Sequence, residues 1–282
     1  MAKIEVKTPA KINIGLYVTE KRQDGYHNIE TIYYPVNIYD RMTFEDSDNF
    51  TFSSNTKSLP DDSTNLVIQA KNLLEDYSGE KLNVNIMLEK NIPVGAGLGG
   101  GSSDAAASLK TLNEYAGLNL SGNELFDLAL RLGSDVPFFL NPCPSFAGGR
   151  GEIINPCLLH LDLPLVIVNP GINISTSWAY SQIIPEFPNF KLNKVEALDL
   201  SHLKVYSGQI LNAFESPVFE KYPAVKEIKL LHYRLGAVFS LMSGSGSTVF
   251  GIYPDTESAL SACKIMEGQG YLVYIHDEGK YD

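Results

Sequence analysis

The stretch "NIPVGAGLGGGSSDAAASLK", residues 91–110, sets five glycines and two serines directly ahead of an alanine-rich run. Within it "GAGLGG" satisfies GxGxxG, a dinucleotide pattern that has force only where a strand feeds straight into the first glycine. Here "EKNIPV" intervenes after the strand, and further on Glu114 lies inside a helical pattern rather than at the end of a second strand. A P-loop would carry Lys and then Ser or Thr after its last glycine, and Gly101 and Ser102 stand there instead. The third reading is a loop whose amides, free of Cβ atoms, wrap a triphosphate at the positive end of the following helix. Its rival is a flexible linker, although linkers seldom run into a capped, alanine-rich helix.

Downstream, Ala105, Leu109, Leu112 and Ala116 recur at helical spacing, with Ser102 or Ser103 as cap and Gly117 as terminator. "SGNELFDLALRLG" predicts a second helix, with Ser121 and Glu124 as a capping box and Leu125, Leu128, Ala129 and Leu132 as its buried stripe. Upstream, "STNLVIQAKNLLEDYSG" has the helical period, with Ser63 as cap and Gly79 just past the end, and "LNVNIML" alternates as a strand. At the start "AKINIGLYVT" alternates strictly, placing Ile12, Ile14, Leu16 and Val18 in the core and Lys11, Asn13, Gly15 and Tyr17 on the other face. "DGYH" is a turn, and "IETIYYPVNIYDRMTFE" is more strand, broken at Pro35.

After "GSDVPFFL" and the proline- and glycine-rich "NPCPSFAGGRGEIINP" we place a domain boundary near residue 155. Beyond it come strand ("LPLVIVN"), helices through about residues 205–234, strand ("AVFSLM"), the "SGSGS" connection, strand ("TVFGIY"), helix ("TESALSACKIMEG") and strand ("YLVYIH"). Taking the helices as one layer, that order is the split βαβ of ferredoxin-like domains.

The 282 residues are 44% hydrophobic, enough for two modest cores. A net charge of -11 and the lack of any Lys or Arg run argue against nucleic acid and anionic membranes as partners. A small anionic substrate must then be held by local amides and a few placed cations. Three cysteines with no CxxC spacing suggest neither a disulfide framework nor a zinc site, and no apolar run approaches a membrane span. These features predict a cytoplasmic protein.

Phosphoryl transfer asks for positioning, charge neutralisation and a group to receive the alcohol's proton. Lys11 sits on the non-core face of the first strand, one pleat from Asn13, and Asp135 lies in the tight "GSDVP" turn. A lysine near that aspartate would keep it ionised and would stabilise charge moving onto a γ-phosphate. Each residue also has a plain structural reading. Lys11 fits a solvated strand position, and Asp135 fits the cap of a short helix with Pro137 in its first turn.

Taken together, "PAKINIGLYV", "DGYH", "IPVGAGLGGGSSDAA", "GSDVPFF" and "MSGSGSTVFGIY" resemble the ordered motifs of the GHMP small-molecule kinases. The "PAKIN" and "DGYH" pair looks most like the branch that acts on a cytidine-diphosphate-linked methylerythritol in the non-mevalonate (MEP) isoprenoid pathway. The resemblance implies an α+β, two-domain GHMP kinase fold. Residues 1–155 would form a ribosomal-protein-S5-domain-2-like domain with the ATP phosphate loop, and residues 156–282 a ferredoxin-like domain.

It further implies that Lys11 and Asp135 are the catalytic pair. Pro93, Val94, Gly95, Ala96, Gly97, Leu98, Gly99, Gly100, Gly101, Ser102 and Ser103 match the phosphate loop, and Asn65 and Lys90 fall where the adenine pocket lies. Tyr26 and His27 match residues that hold the cytidine, and Asn13 lies near the sugar alcohol. Tyr180, in the "ISTSWAY" segment that also holds Thr176, falls where an aromatic residue meets the cytosine. "SGSGS" matches the third superfamily motif. On residue chemistry alone Tyr26 and Tyr180 are equally half-buried aromatics, and "SGSGS" a hairpin turn or a linker. The cofactors implied are ATP and Mg²⁺, with Ser103 a possible metal ligand, and the chain would act as a monomer or homodimer.

Overall fold

A computed structural model describes residues 3–195, 198–206 and 208–276 of the chain. In chain order the elements are β1 (Ile4–Lys21), β2 (His27–Asp46), β3 (Thr51–Ser54), α1 (Leu66–Ser78), β4 (Val84–Glu89), α2 (Gly100–Tyr115) and α3 (Gly122–Leu132). A 3-10 turn (Pro137–Leu140) precedes the hairpin β5 (Ser145–Gly148) and β6 (Ile153–Pro156). Then follow β7 (Leu165–Asn169), α4 (Thr176–Ser181), α5 (Leu200–Tyr206), α6 (Glu215–Lys221), α7 (Pro223–Arg234), β8 (Phe239–Met242), β9 (Val249–Ile252), α8 (Thr256–Gly268) and β10 (Leu272–His276).

The chain divides into two compact units that are not consecutive stretches of sequence. One comprises Met1–Ala10, Ile38–Val94 and Gly99–Pro142; the other comprises Lys11–Asn37, Gly95–Leu98 and Cys143–Asp282. In the first unit β2 pairs antiparallel with β4 from Arg41↔Glu89 to Asp46↔Val84, and β3 runs parallel to β4. Helices α1, α2 and α3 pack on one another there.

In the second unit β2 pairs with β5 through Thr31–Tyr33. The four-stranded sheet of this unit has the order β10-β7-β9-β8, antiparallel throughout, with α7 between β7 and β8 and α8 between β9 and β10. That is the ferredoxin-like order expected from the sequence. Val166, Val168 and Val249 of the sheet meet Val225 and Ile228 of α7 and Ala259, Ala262 and Met266 of α8 in one apolar core.

Three local expectations are corrected. Pro35 does not break the strand, because it lies between the segments of β2 that pair with β5 and with β4, where a missing N–H costs no bond to either. Helix α1 is capped by Asn65, whose side chain accepts from the Val67 N–H, rather than by Ser63. Helix α2 starts behind Gly99 in the left-handed region, so Ser102 and Ser103 lie inside its first turn and cap nothing. The sequence leaves open what the non-core face of β1 meets; both faces of Lys11–Thr19 are buried, so its polar groups find their partners inside the protein.

Candidate active site

In the second unit, Lys11 is 4% exposed. Its main-chain N–H donates to the Leu98 carbonyl at 2.9 Å, tying β1 to the glycine loop. Its ammonium donates to Asn13 Oδ1 at 2.5 Å and lies 5.2 Å from the centre of the Tyr33 ring. Asn13 in turn donates through Nδ2 to Thr31 Oγ1 at 2.9 Å and through its main chain to Ser243 Oγ at 3.2 Å. The Ser243 hydroxyl donates to the Gly97 carbonyl at 2.9 Å. A solvated strand lysine would show none of this.

The same contacts give the bare loop a second cause. Gly97 has φ +78°, and a Cβ placed on it would stand 2.2 Å from the Ser243 carbonyl oxygen. Close packing of the 243–247 loop therefore demands glycine here, in addition to any approach by a phosphate. That loop is held by Asn212, 3% exposed, which donates to the Met242 and Gly244 carbonyls at 2.7 and 2.8 Å. Asn212 opens the stretch "NAFE", residues 212–215, but nothing in the sequence gives it a role, because burial is not visible in an isolated asparagine.

In the first unit, Gly99 offers no side-chain acceptor to α2. The helix therefore presents its first-turn amides and positive dipole end with no cap in place. Ser103 is 2% exposed, and among the described residues its hydroxyl has no hydrogen-bond partner. An unsatisfied buried hydroxyl costs about 1–3 kcal/mol, so its place in this turn fits a group kept for a phosphate oxygen or a metal ion. Pro93 is half-buried and Val94 exposed.

Asn65 and Lys90 are largely engaged elsewhere. The Asn65 carboxamide accepts from the Val67 N–H at 2.9 Å and donates to the Pro60 carbonyl at 2.8 Å. The Lys90 ammonium bonds Asp40 and, at 2.9 Å, Asp104. Asp135 sits in the turn after α3, half-buried. The N-cap of the following 3-10 turn is Val136, which makes no side-chain cap bond, so Asp135 is not that cap.

The residues expected at a pyrimidine lie in the second unit. His27 stacks on Tyr180 with ring centres 5.0 Å apart and planes at 21°, and Tyr180 meets Phe214 edge-on at 4.9 Å. Burial, and next the charge of Lys21, lower the His27 pKa, which favours a neutral ring with one donor and one acceptor. Tyr26 is exposed, with the Arg150 guanidinium 4.3 Å from its ring centre. Thr176 Oγ1 lies 3.1 Å from Ser245 Oγ.

Comparison with known proteins decides the family. Residues 65–142 match the GHMP kinases N terminal domain, and residues 195–271 match GHMP kinases C terminal. The chain is 42% identical over 272 residues, 94% of each chain, to the 4-diphosphocytidyl-2-C-methyl-D-erythritol kinase of Prosthecochloris aestuarii. It is 42% identical over 279 residues to that of Chlorobium limicola, covering 98% of this chain and 97% of the other. The chain belongs to this family of GHMP kinases.

A crystal structure of 4-(cytidine 5'-diphospho)-2C-methyl-D-erythritol kinase matches the fold with a TM-score of 0.83 at 33% identity, covering 97% of this chain and 98% of that one. Homoserine kinase from Cytophaga hutchinsonii matches with a TM-score of 0.72 over 96% and 94%, but at 18% identity it shares the fold alone. The chain is thus an ATP-dependent small-molecule kinase with the two-domain, α+β GHMP fold. No helix among the described residues is long and apolar enough to cross a membrane.

Proposed function

We propose that this kinase transfers the γ-phosphoryl group of ATP to the 2-hydroxyl of 4-diphosphocytidyl-2-C-methyl-D-erythritol, releasing ADP, in the non-mevalonate (MEP) route to isoprenoid precursors. The observation that carries the reading is likeness along the whole chain to kinases of that name. Residues 1–155, with the phosphate loop, and residues 156–282 are its two functional domains.

Asp135 receives the proton of the attacking hydroxyl, and the oxygen forms its bond to phosphorus as the bond to the β-phosphate oxygen breaks. Lys11 stabilises the charge on the transferring group; Asn13 fixes the ammonium by accepting its hydrogen bond and lies beside the sugar alcohol. Residues 93–103 hold the triphosphate through main-chain amides and the α2 dipole. Asn65 and Lys90 shape the wall of the adenine pocket. His27 and Tyr180, already stacked, and Tyr26 hold the cytosine, with Thr176 at the same end of the substrate.

Mg²⁺ fits the Ser103 hydroxyl together with the nucleotide's own oxygens and water, and when bound it neutralises phosphate charge. The kinase works in the cytoplasm as a monomer or homodimer. CMP and CDP fragments test the substrate assignment. Each should compete with the cytidyl substrate and raise the melting temperature, and homoserine and mevalonate should do neither. Phosphorylation of homoserine or mevalonate with no competition by CMP would keep the kinase and discard the cytidine site.

A further inference from the structure

Beneath the first turn of α2 lies a buried ion cluster of which the reaction as described uses only Lys90, in the adenine wall. Asp40 of β2, Lys90 just past β4 and Asp104 of α2 are brought together with side chains 0%, 5% and 3% exposed. Lys90 Nζ bonds Asp40 Oδ2 and donates to Asp104 Oδ2 at 2.9 Å. The other oxygen of Asp40 accepts the main-chain N–H groups of Asn91 and Ile92 at 2.6 and 2.8 Å. The other oxygen of Asp104 accepts from Thr8 Oγ1 of β1 at 2.7 Å. All four carboxylate oxygens are therefore engaged, and together the bonds join β2, residues 90–92, α2 and β1.

This satisfied network touches the glycine loop directly. A Cβ on Gly100, the first residue of α2, would stand 3.0 Å from Lys90 Nζ and 2.9 Å from Ile92 Cγ2. The helix start thus rests on the lysine and on the residue whose N–H Asp40 holds. Burying ions is costly, and a hydrophobic replacement often serves stability as well, so stability alone does not account for a buried triad. Here the position fixed is that of the amides of Gly100, Gly101 and Ser102 and of the Ser103 hydroxyl.

We propose that Asp40, Lys90 and Asp104 are positioning residues for the phosphate loop: a buried clamp that holds the first turn of α2 where its amides meet the phosphoryl donor. The proposal rests on the reading of residues 93–103 as that loop. It also gives Lys90 a second task beside the adenine wall, acting through α2 rather than through the base. Asp40 and Asp104 are buried with every carboxylate oxygen bonded to protein groups, so they act through α2.

The test is steady-state kinetics on Asp40→Asn and Asp104→Asn, varying ATP and the cytidyl substrate in turn, with a melting curve for each protein. The clamp should show as a rise of about tenfold in KM for ATP, on the scale that misplaced positioning groups cost, with KM for the cytidyl substrate within about twofold of wild type. Lys90→Arg, which can still bridge both carboxylates, should recover part of the ATP affinity lost in Lys90→Met. A fall in melting temperature with KM for ATP unchanged would overturn the proposal and leave the triad a core ion cluster. Equal rises in both KM values would also overturn it. Asp104→Asn leaves Asp40 and Lys90 paired, so it decides the matter if Asp40→Asn does not fold. Failure of the wild-type protein to use ATP would be a separate result, sinking the phosphate-loop reading itself.

Discussion

Lys11 is buried and its ammonium donates to the Asn13 carboxamide oxygen, so it is held in one place as a surface lysine is not. Lys11→Met keeps the packing and removes the charge. We expect turnover to fall at least ~10²-fold, with less loss of ATP binding than disruption of the glycine loop causes. Asp135→Asn should likewise lose at least ~10²-fold in turnover while ATP affinity and melting temperature hold, because a positioned base contributes on that scale. Near-normal turnover would leave Asp135 without a catalytic role.

His232 gives a pH test unconnected with catalysis. It is fully buried beside Tyr253 in the second unit, and burial brings its pKa down to about 3. Its folded pKa lies below the unfolded value of about 6.5, so stability is intact above pH ~6.5 and is lost as pH falls toward 3, by at most about 1.4 kcal/mol per pH unit. Urea midpoints at pH 7.5 and 5 should therefore differ. In His232→Asn, which keeps a partner for the Tyr253 hydroxyl, the difference should shrink. Lys11 and Asp135 stand out as candidates in the sequence because each belongs to an ordered motif. Asn212, Asp40 and Asp104 do not, since their meaning lies in partners as many as 96 residues away, as for Thr8 and Asp104.

At the scale of elements, α2 is the piece on which ATP binding turns. Gly100 has helical geometry, so Gly100→Ala gains helix propensity of about 0.5–1 kcal/mol, yet its Cβ meets Lys90 and Ile92. The expected outcome is a raised KM for ATP with little change in melting temperature. Gly97→Ala differs, because a left-handed alanine costs about 1–2 kcal/mol and its Cβ would strike the Ser243 carbonyl. Thermal melts should show a clear loss of stability there. Periodicity located most helices and strands, and the Ser121–Glu124 capping box is present as expected. It failed where a neighbour overrides a local rule: at Pro35 inside β2, at the Asn65 cap, and at α4, which is only six residues long.

For the whole molecule, the alternating order of strands and helices in the second half sufficed to give the β10-β7-β9-β8 sheet, because few connections satisfy split βαβ topology. The interleaving of the two compact units was hidden, since it arises from long strands β1 and β2 that each pass through both. At a net charge of -11, anionic ligands are bound against the overall field, so binding must come from the local groups described above. Mg·ATP at a hundred times its Kd should stabilise the protein by about 2.7 kcal/mol, and NAD should produce no shift.

The most direct measurement is transfer of label from γ-³²P-ATP in the presence of Mg²⁺ and 4-diphosphocytidyl-2-C-methyl-D-erythritol, with homoserine and mevalonate as parallel acceptors. The account requires label to appear in the cytidyl compound alone, one phosphoryl group per ADP released. ADP formed without labelled cytidyl product, or label passing to homoserine or mevalonate instead, would contradict it.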